Sequence, residues 1–227
     1  MPRKLSKQSS FTSASSTTLS STLTASSASQ IPPSLTDPTL PLPKLIVFDL
    51  DYTLWPFWVD THVTPPLKPN AAHSLATDRH GEEYTFYSDV PQVLQLLPRA
   101  GSGSSSAPVK LGVASRTHAP ALARDLLKML HLPPAQEGDS RPRRALDVFD
   151  AGLEIYPGSK IRHIELLQRR TGVDFEDILF FDDESRNQET ERLGITMRLV
   201  RDGVCWAEIE KGVDDWRRRR SVRKGSI

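Results

Sequence analysis

The sequence predicts an α/β protein built on a doubly wound parallel sheet. Leu45 to Phe48 is an apolar run without alternation, the pattern of a strand buried on both faces, and Val109 to Ala114 and Ile178 to Phe181 read as further strands. Stretches with helical spacing alternate with them, as the crossovers of a parallel sheet require. Each run also ends on polar residues that can do chemistry: Asp49 and Asp51, Ser115, and Asp182 with Asp183. In open parallel sheets, ligands bind outside the carboxyl ends of the strands.

The elements follow in order. Residues 8–40 are dominated by Ser, Thr, Ala and Pro. They bury too little apolar surface to offset chain entropy, so residues 1–43 read as a disordered tail. Pro41 and Pro43 punctuate the entry to a first strand over 44–49. Residues 52–88 lack helical periodicity and contain Pro56, Pro65, Pro66 and Pro69. His80-Gly81-Glu82 reads as a turn before a short strand at Tyr84 to Tyr87, so a small flap or cap is expected there. Trp55, Phe57 and Trp58 either line its underside or belong to the core. Ser88 or Asp89 can cap a helix that carries Pro91 in its first turn.

Residues 101–106 read as a flexible loop. The second strand is followed by a helix over about 118–130, and residues 133–144 read as another loop. A third strand is expected at 146–149 and a helix over about 159–170, ended by Gly172. After the fourth strand come a helix over 186–193, a fifth strand at 196–200 and a last helix near 205–216. The globule is therefore expected at 44–216, with 217–227 a basic tail.

The chain has 227 residues and a net charge of +1. The two tails carry +2 and +6, which leaves −7 on residues 44–216. A negative globule argues against a nucleic-acid-binding domain. The run Arg217 to Arg220 with Arg223 and Lys224 reads as a solvated tail, or else a nuclear-localisation or polyanion-binding patch. Cys205 is the single cysteine. It permits no intrachain disulfide and no thiolate zinc site, which suits a reducing compartment. No apolar run approaches the length of a membrane span. The six histidines show no HExxH-like spacing and read as structural or surface groups, with His62 near the flap.

Asp49 and Asp51 lie two residues apart where the first strand ends, so they start on the same side. Such a pair implies a metal, a shared proton or two different roles. With Ser115, Lys160 and Asp183 after later strands, the set suits hydrolysis of a phosphate monoester. Carboxylates need Mg²⁺ to approach a phosphate dianion. Asp49 can attack phosphorus and form an aspartyl-phosphate. Asp51 can protonate the leaving oxygen and then activate water. Ser115 can hydrogen-bond a phosphoryl oxygen, and Lys160 supplies a point charge.

Asp49-Leu50-Asp51-Tyr52-Thr53 resembles the first motif of the haloacid dehalogenase superfamily of phosphohydrolases. The continuation from Leu54 to Val63 more specifically resembles the magnesium-dependent phosphatase 1 family. Ala114-Ser115-Arg116-Thr117, Lys160 and Asp182-Asp183 resemble the second, third and fourth motifs. The resemblance covers about 44–205 and implies a Rossmann-like fold with Asp49, Asp51 and Asp183 around the metal, Asp51 through its backbone carbonyl. It also implies that Arg116 and the backbone near Leu50 contact the phosphate. The departures, at the tails and at 101–106 and 133–144, remove no motif residue.

The expected activity is thus a Mg²⁺-dependent phosphatase of small phosphorylated substrates of sugar-phosphate type, or of phosphotyrosine. A phosphoaspartate receiver is the alternative on a similar fold, but it has no use for an acid/base at Asp51. A silent binding module would have no need of an intact acidic set. The Ser-rich start has the composition of a mitochondrial presequence, but its basic residues stop at Lys7 and no Arg-rich amphipathic helix follows. The expectation is a cytoplasmic or nuclear protein. Nothing in the sequence sets an oligomeric state.

Overall fold

The computed structural model describes residues 31–100, 108–134 and 142–224. Residues 1–30 of the tail expected at 1–43, the loop at 101–106 and most of that at 133–144 lie outside the described residues.

Five strands form the central sheet: β1 Leu45–Phe48, β2 Lys110–Ser115, β3 Gly152–Ile155, β4 Ile178–Asp182 and β5 Thr196–Leu199. Their order is β5-β4-β1-β2-β3, and every pairing is parallel. Alternation along β1 explains its uniformly apolar run. Ile46 and Phe48 enter one core layer, while Leu45 and Val47 enter the other. Helices α1 Val90–Leu96, α2 Pro120–Met129 and α4 Trp206–Lys224 supply the first layer. Val93, Leu126, Ile209 and Val213 bury there without exposure. Helix α3 Lys160–Thr171 supplies Ile164 and Leu167 to the second layer. Each such side chain contributes about 1.5–3 kcal/mol of transfer free energy.

The chain runs outward from β1 through β2 to β3, then returns to β4 on the other side of β1. The order therefore reverses between β1 and β4, and a crevice opens at their carboxyl ends.

Several sequence expectations are corrected. Residues 145–148 form a 3₁₀ turn, Ala145–Val148, and the third strand is Gly152–Ile155. A four-residue apolar run does not distinguish strand from helical turn. Gly152 is required where it stands: its φ is +118°, and an added Cβ would lie 1.6 Å from Arg170 Nη1. Residues 185–193 also form a 3₁₀ helix, Ser185–Leu193, ended by Gly194.

The region 52–88 holds a three-stranded antiparallel sheet, Lys68–Pro69, Ala76–Thr77 and Glu83–Tyr84. Two-residue strands are too short to show alternation in sequence. Asp78 organises their connections by accepting the backbone N–H groups of Thr64, His80 and Glu82.

The globule also exceeds 44–216. Leu35, in the short helix Pro33–Thr36, is 1 % exposed. Residues 217–224 belong to α4 rather than to a free tail. Arg217 donates to the carbonyls of Pro41 and Ser34, and Arg219 and Arg220 pair with Glu191 and Asp177. Much of the basic run is therefore answered inside the molecule.

Candidate active site

Beyond β1 the ladder continues one residue, with Asp49 N–H donating to Phe181 O at 2.9 Å. The chain then turns through Tyr52, whose φ is +51°. Leu50 O accepts the N–H groups of Thr53, Leu54 and Trp55 and closes that turn. The Leu50 side chain is fully buried, so only its backbone can serve a ligand. Trp55 and Phe57 are core residues, stacked on each other at 5.4 Å. The Trp55 indole also donates Nε1–H to Asp51 Oδ1 at 2.7 Å, and Val59 N–H donates to the same oxygen at 3.2 Å.

Ser159 caps α3 by accepting Ile161 N–H at 3.2 Å, which places Lys160 at the first helical position. Lys160 is 1 % exposed. Its Nζ donates to Ala114 O at 2.6 Å and lies 2.7 Å from Asp49 Oδ1 and 2.9 Å from Asp182 Oδ2. Three acceptors match the three donors of an ammonium. Burial works to lower the Lys160 pKa, but Asp49 and Asp182 outweigh it and hold the group above the ordinary lysine value. Asp182 also accepts Glu184 N–H at 2.8 Å and Asn187 Nδ2–H at 2.7 Å.

One lysine faces four carboxylates. Burial pushes Asp49 up to about 7 against the pull of Lys160. It raises Asp51 to about 6 against the hydrogen bonds from Trp55 and Val59. It raises Asp183 to about 6 with help from the Asp182 charge. Asp49, Asp182 and Asp183 each offer an oxygen, and these atoms lie within 4.8 Å of one another. An under-compensated, all-oxygen donor set fits a hard divalent cation such as Mg²⁺.

Asp49, Asp51, Ser115, Arg116 and Asp183 line one cavity of 490 Å³, with Lys160 beneath it. Ser115, the last residue of β2, is 1 % exposed. Arg116 pairs with Glu184, which also holds Arg186 through contacts of 2.9 and 2.6 Å. Asp60 Oδ2 accepts His118 N–H at 3.0 Å and ties the flap to the start of α2.

Sequence reasoning thus located the residues along the cavity but missed those that hold them. Asn187, Glu184 and Asp60 act across the fold, and no local pattern marks them. Trp55 carries one signal, its spacing one turn after Asp51. The histidines do not join the acidic set: His163 is buried with Nε2 on Tyr156 O at 3.1 Å, and burial lowers its pKa to about 4. His62 stacks on Trp58 instead.

A parallel sheet with acidic pairs at the ends of β1 and β4, joined by a buried lysine, defines a hydrolase of the haloacid dehalogenase superfamily that acts on phosphoric monoesters. The chain belongs to the Acid Phosphatase family, whose profile matches residues 41–219. It is 44 % identical over 155 residues to a HAD-like hydrolase superfamily protein of Schizosaccharomyces pombe, covering 68 % of this chain and 83 % of that one. It is 40 % identical over 174 residues to magnesium-dependent phosphatase 1 of Homo sapiens, covering 76 % of this chain and 86 % of that one. Among the described residues no helix is long and apolar enough to cross a membrane.

Proposed function

We propose that the protein is a Mg²⁺-dependent phosphatase of small phosphomonoesters that works through an aspartyl-phosphate on Asp49. The observation that supports this most strongly is the unequal environment of the two β1 carboxylates. Asp49 lies against Lys160 in the floor, while Asp51 is oriented by an indole and a backbone N–H. A nucleophile and a proton carrier need such different settings.

Asp49 and Asp183, with the backbone carbonyl of Asp51, would hold the cation. Asp182 suits orientation rather than ligation, because Lys160, Asn187 and Glu184 N–H already engage its oxygens. Bound Mg²⁺ would neutralise the phosphate and the carboxylates around it.

Asp49 attacks phosphorus, and the bond to the leaving oxygen breaks as Asp51 delivers its proton there. Asp51, now ionised, takes a proton from water as that water attacks phosphorus and frees Asp49. Ser115, Arg116 and the Leu50 backbone hold the phosphoryl oxygens. Lys160 fixes the direction of Asp49 and offsets its charge. A pKa near 6 for Asp51 suits a group that must give and regain a proton close to neutrality.

The test is turnover of a phosphomonoester panel with added Mg²⁺ and with excess chelator. Activity confined to the metal-containing samples, and a weakened Mg²⁺ titration in Asp183→Ala, support the reading. Full turnover in chelator contradicts it.

A further inference from the structure

Glu184 places an acid where a phosphate must pass. The cavity lined by Asp49 and Asp51 already carries Asp60 and Asp183, and Glu184 adds a fifth carboxylate to its wall. The proposed mechanism gives a task to Asp49, Asp51 and Asp183 and none to Glu184. A carboxylate left without a counter-charge there would repel a phosphate dianion.

Glu184 is built into the site. Its N–H donates to Asp182 Oδ1 at 2.8 Å. Asn187 Nδ2–H donates both to Asp182 Oδ1 at 2.7 Å and to Glu184 Oε2 at 3.3 Å. Asp182 is fixed in turn by Lys160. Glu184 is therefore tied to the same network that holds Asp49. From there its carboxylate meets two guanidinium groups. Arg116 Nη2 donates to Oε2. Arg186 engages it as a fork, with Nε on Oε2 at 2.9 Å and Nη2 on Oε1 at 2.6 Å, an arrangement that fixes geometry as well as charge.

The two arginines differ in place. Arg116 follows β2 and Glu184 follows β4, and β1 lies between those strands. The Arg116–Glu184 pair thus reaches across the crevice at the end of β1, where Asp49 stands. Arg116 is the inner cation, its side chain 25 % exposed against 67 % for Arg186. Arg186 is the outer one, and its fork is committed to Glu184.

We infer that Glu184 and Arg186 are positioning residues that act as a pair: Glu184 holds the Arg116 guanidinium across the end of β1, and Arg186 supplies the counter-charge that lets a carboxylate stand there without repelling the phosphate. This rests on the phosphatase reading and adds to it two residues that act through Arg116. Arg116 has five N–H donors, enough to serve the phosphoryl oxygens while Glu184 keeps its direction. The Arg186 fork stays on Glu184 throughout.

The test is a double-mutant cycle with two readouts: calorimetric affinity of the Mg²⁺-loaded protein for inorganic phosphate, and kinetics on nitrophenyl phosphate. Arg186→Ala leaves Glu184 uncompensated and should weaken phosphate binding on the order of tenfold. Arg186→Lys keeps the charge and should recover most of that loss. In the Glu184→Gln background no charge needs an answer, so Arg186→Ala should change the affinity by less than about twofold. Glu184→Gln alone should lower kcat on the order of tenfold, since Arg116 is no longer held where charge develops. A loss from Arg186→Ala that persists in the Glu184→Gln background would make Arg186 a direct phosphate ligand and overturn the proposal. So would wild-type affinity in Arg186→Ala, or wild-type kcat in Glu184→Gln. If wild type neither binds phosphate nor turns over nitrophenyl phosphate, the phosphatase reading itself fails, and the role of the pair with it. Binding and turnover without the expected coupling refute only the pair.

Discussion

Lys160 Nζ and Asp49 Oδ1 meet at 2.7 Å with side chains 1 % and 10 % exposed. Removing the cation leaves Asp49 and fully buried Asp182 without their counter-charge. Breaking a buried pair in this way costs about 3–5 kcal/mol. Lys160→Ala should show a loss of that size in urea unfolding; a change below about 1 kcal/mol would mean that solvent or a neighbour replaces the ammonium. Trp55 acts more subtly. Its indole N–H favours the ionised form of Asp51. Trp55→Phe removes that donor while keeping an aromatic ring, so the Asp51 pKa should rise. If Asp51 is the general acid, the alkaline limb of the kcat/KM profile should move to higher pH. An unmoved limb would detach Asp51 from that step.

Helix α4 crosses the sheet with Gly212 against Phe181. An added Cβ would lie 2.5 and 2.7 Å from two carbons of that ring. Alanine would gain about 1 kcal/mol in helix propensity. Overpacking costs about 1–3 kcal/mol. The ring is fully buried and stacked on Phe48, so it has little room to yield. Gly212→Ala should therefore lower Tm, and a rise would show that the helix shifts freely. The same helix separates what local sequence reveals from what it hides. Strand β1 was legible from its unbroken apolar run and the end of α3 from Gly172, because each signal is local. The end of α4 was not, because Arg217 to Arg220 read as solvated charge. Their partners Asp177, Glu191 and Pro41 O lie far away in sequence. Deleting 217–227, which the sequence alone reads as a basic tail, should lower Tm by several degrees while leaving turnover well below Tm intact.

At the scale of the molecule, the sheet order brings the acids of β1 and β4 to one crevice. Asp49, Asp51, Ser115 and Asp183 were legible there because each lies at the end of a recognisable strand; Glu184, Asn187 and Asp60 were not, since only the fold sets them beside the motifs. Gathering the acids has a pH signature. The carboxyls of Asp49, Asp51 and Asp183 titrate above their unfolded values. Without metal, the folded state thus retains protons that the unfolded chain has lost, and stability falls as pH rises from about 4 to 7. Mg²⁺ competes with those protons, so its stabilising increment in Tm should grow between pH 5 and pH 8. An increment constant across that range would place the metal elsewhere. The most direct measurement concerns the division of labour between Asp49 and Asp51. In Asp51→Asn the nucleophile remains but the proton carrier is gone, which costs about a hundredfold to ten-thousandfold with a poor leaving group. Nitrophenolate needs no proton, so nitrophenyl phosphate should still load Asp49 faster than water unloads it. After rapid acid quench, mass spectrometry of the Asp49 peptide should show a phosphoryl adduct that is absent from Asp49→Asn. Wild-type turnover of nitrophenyl phosphate by Asp51→Asn, with no adduct trapped, would contradict the account.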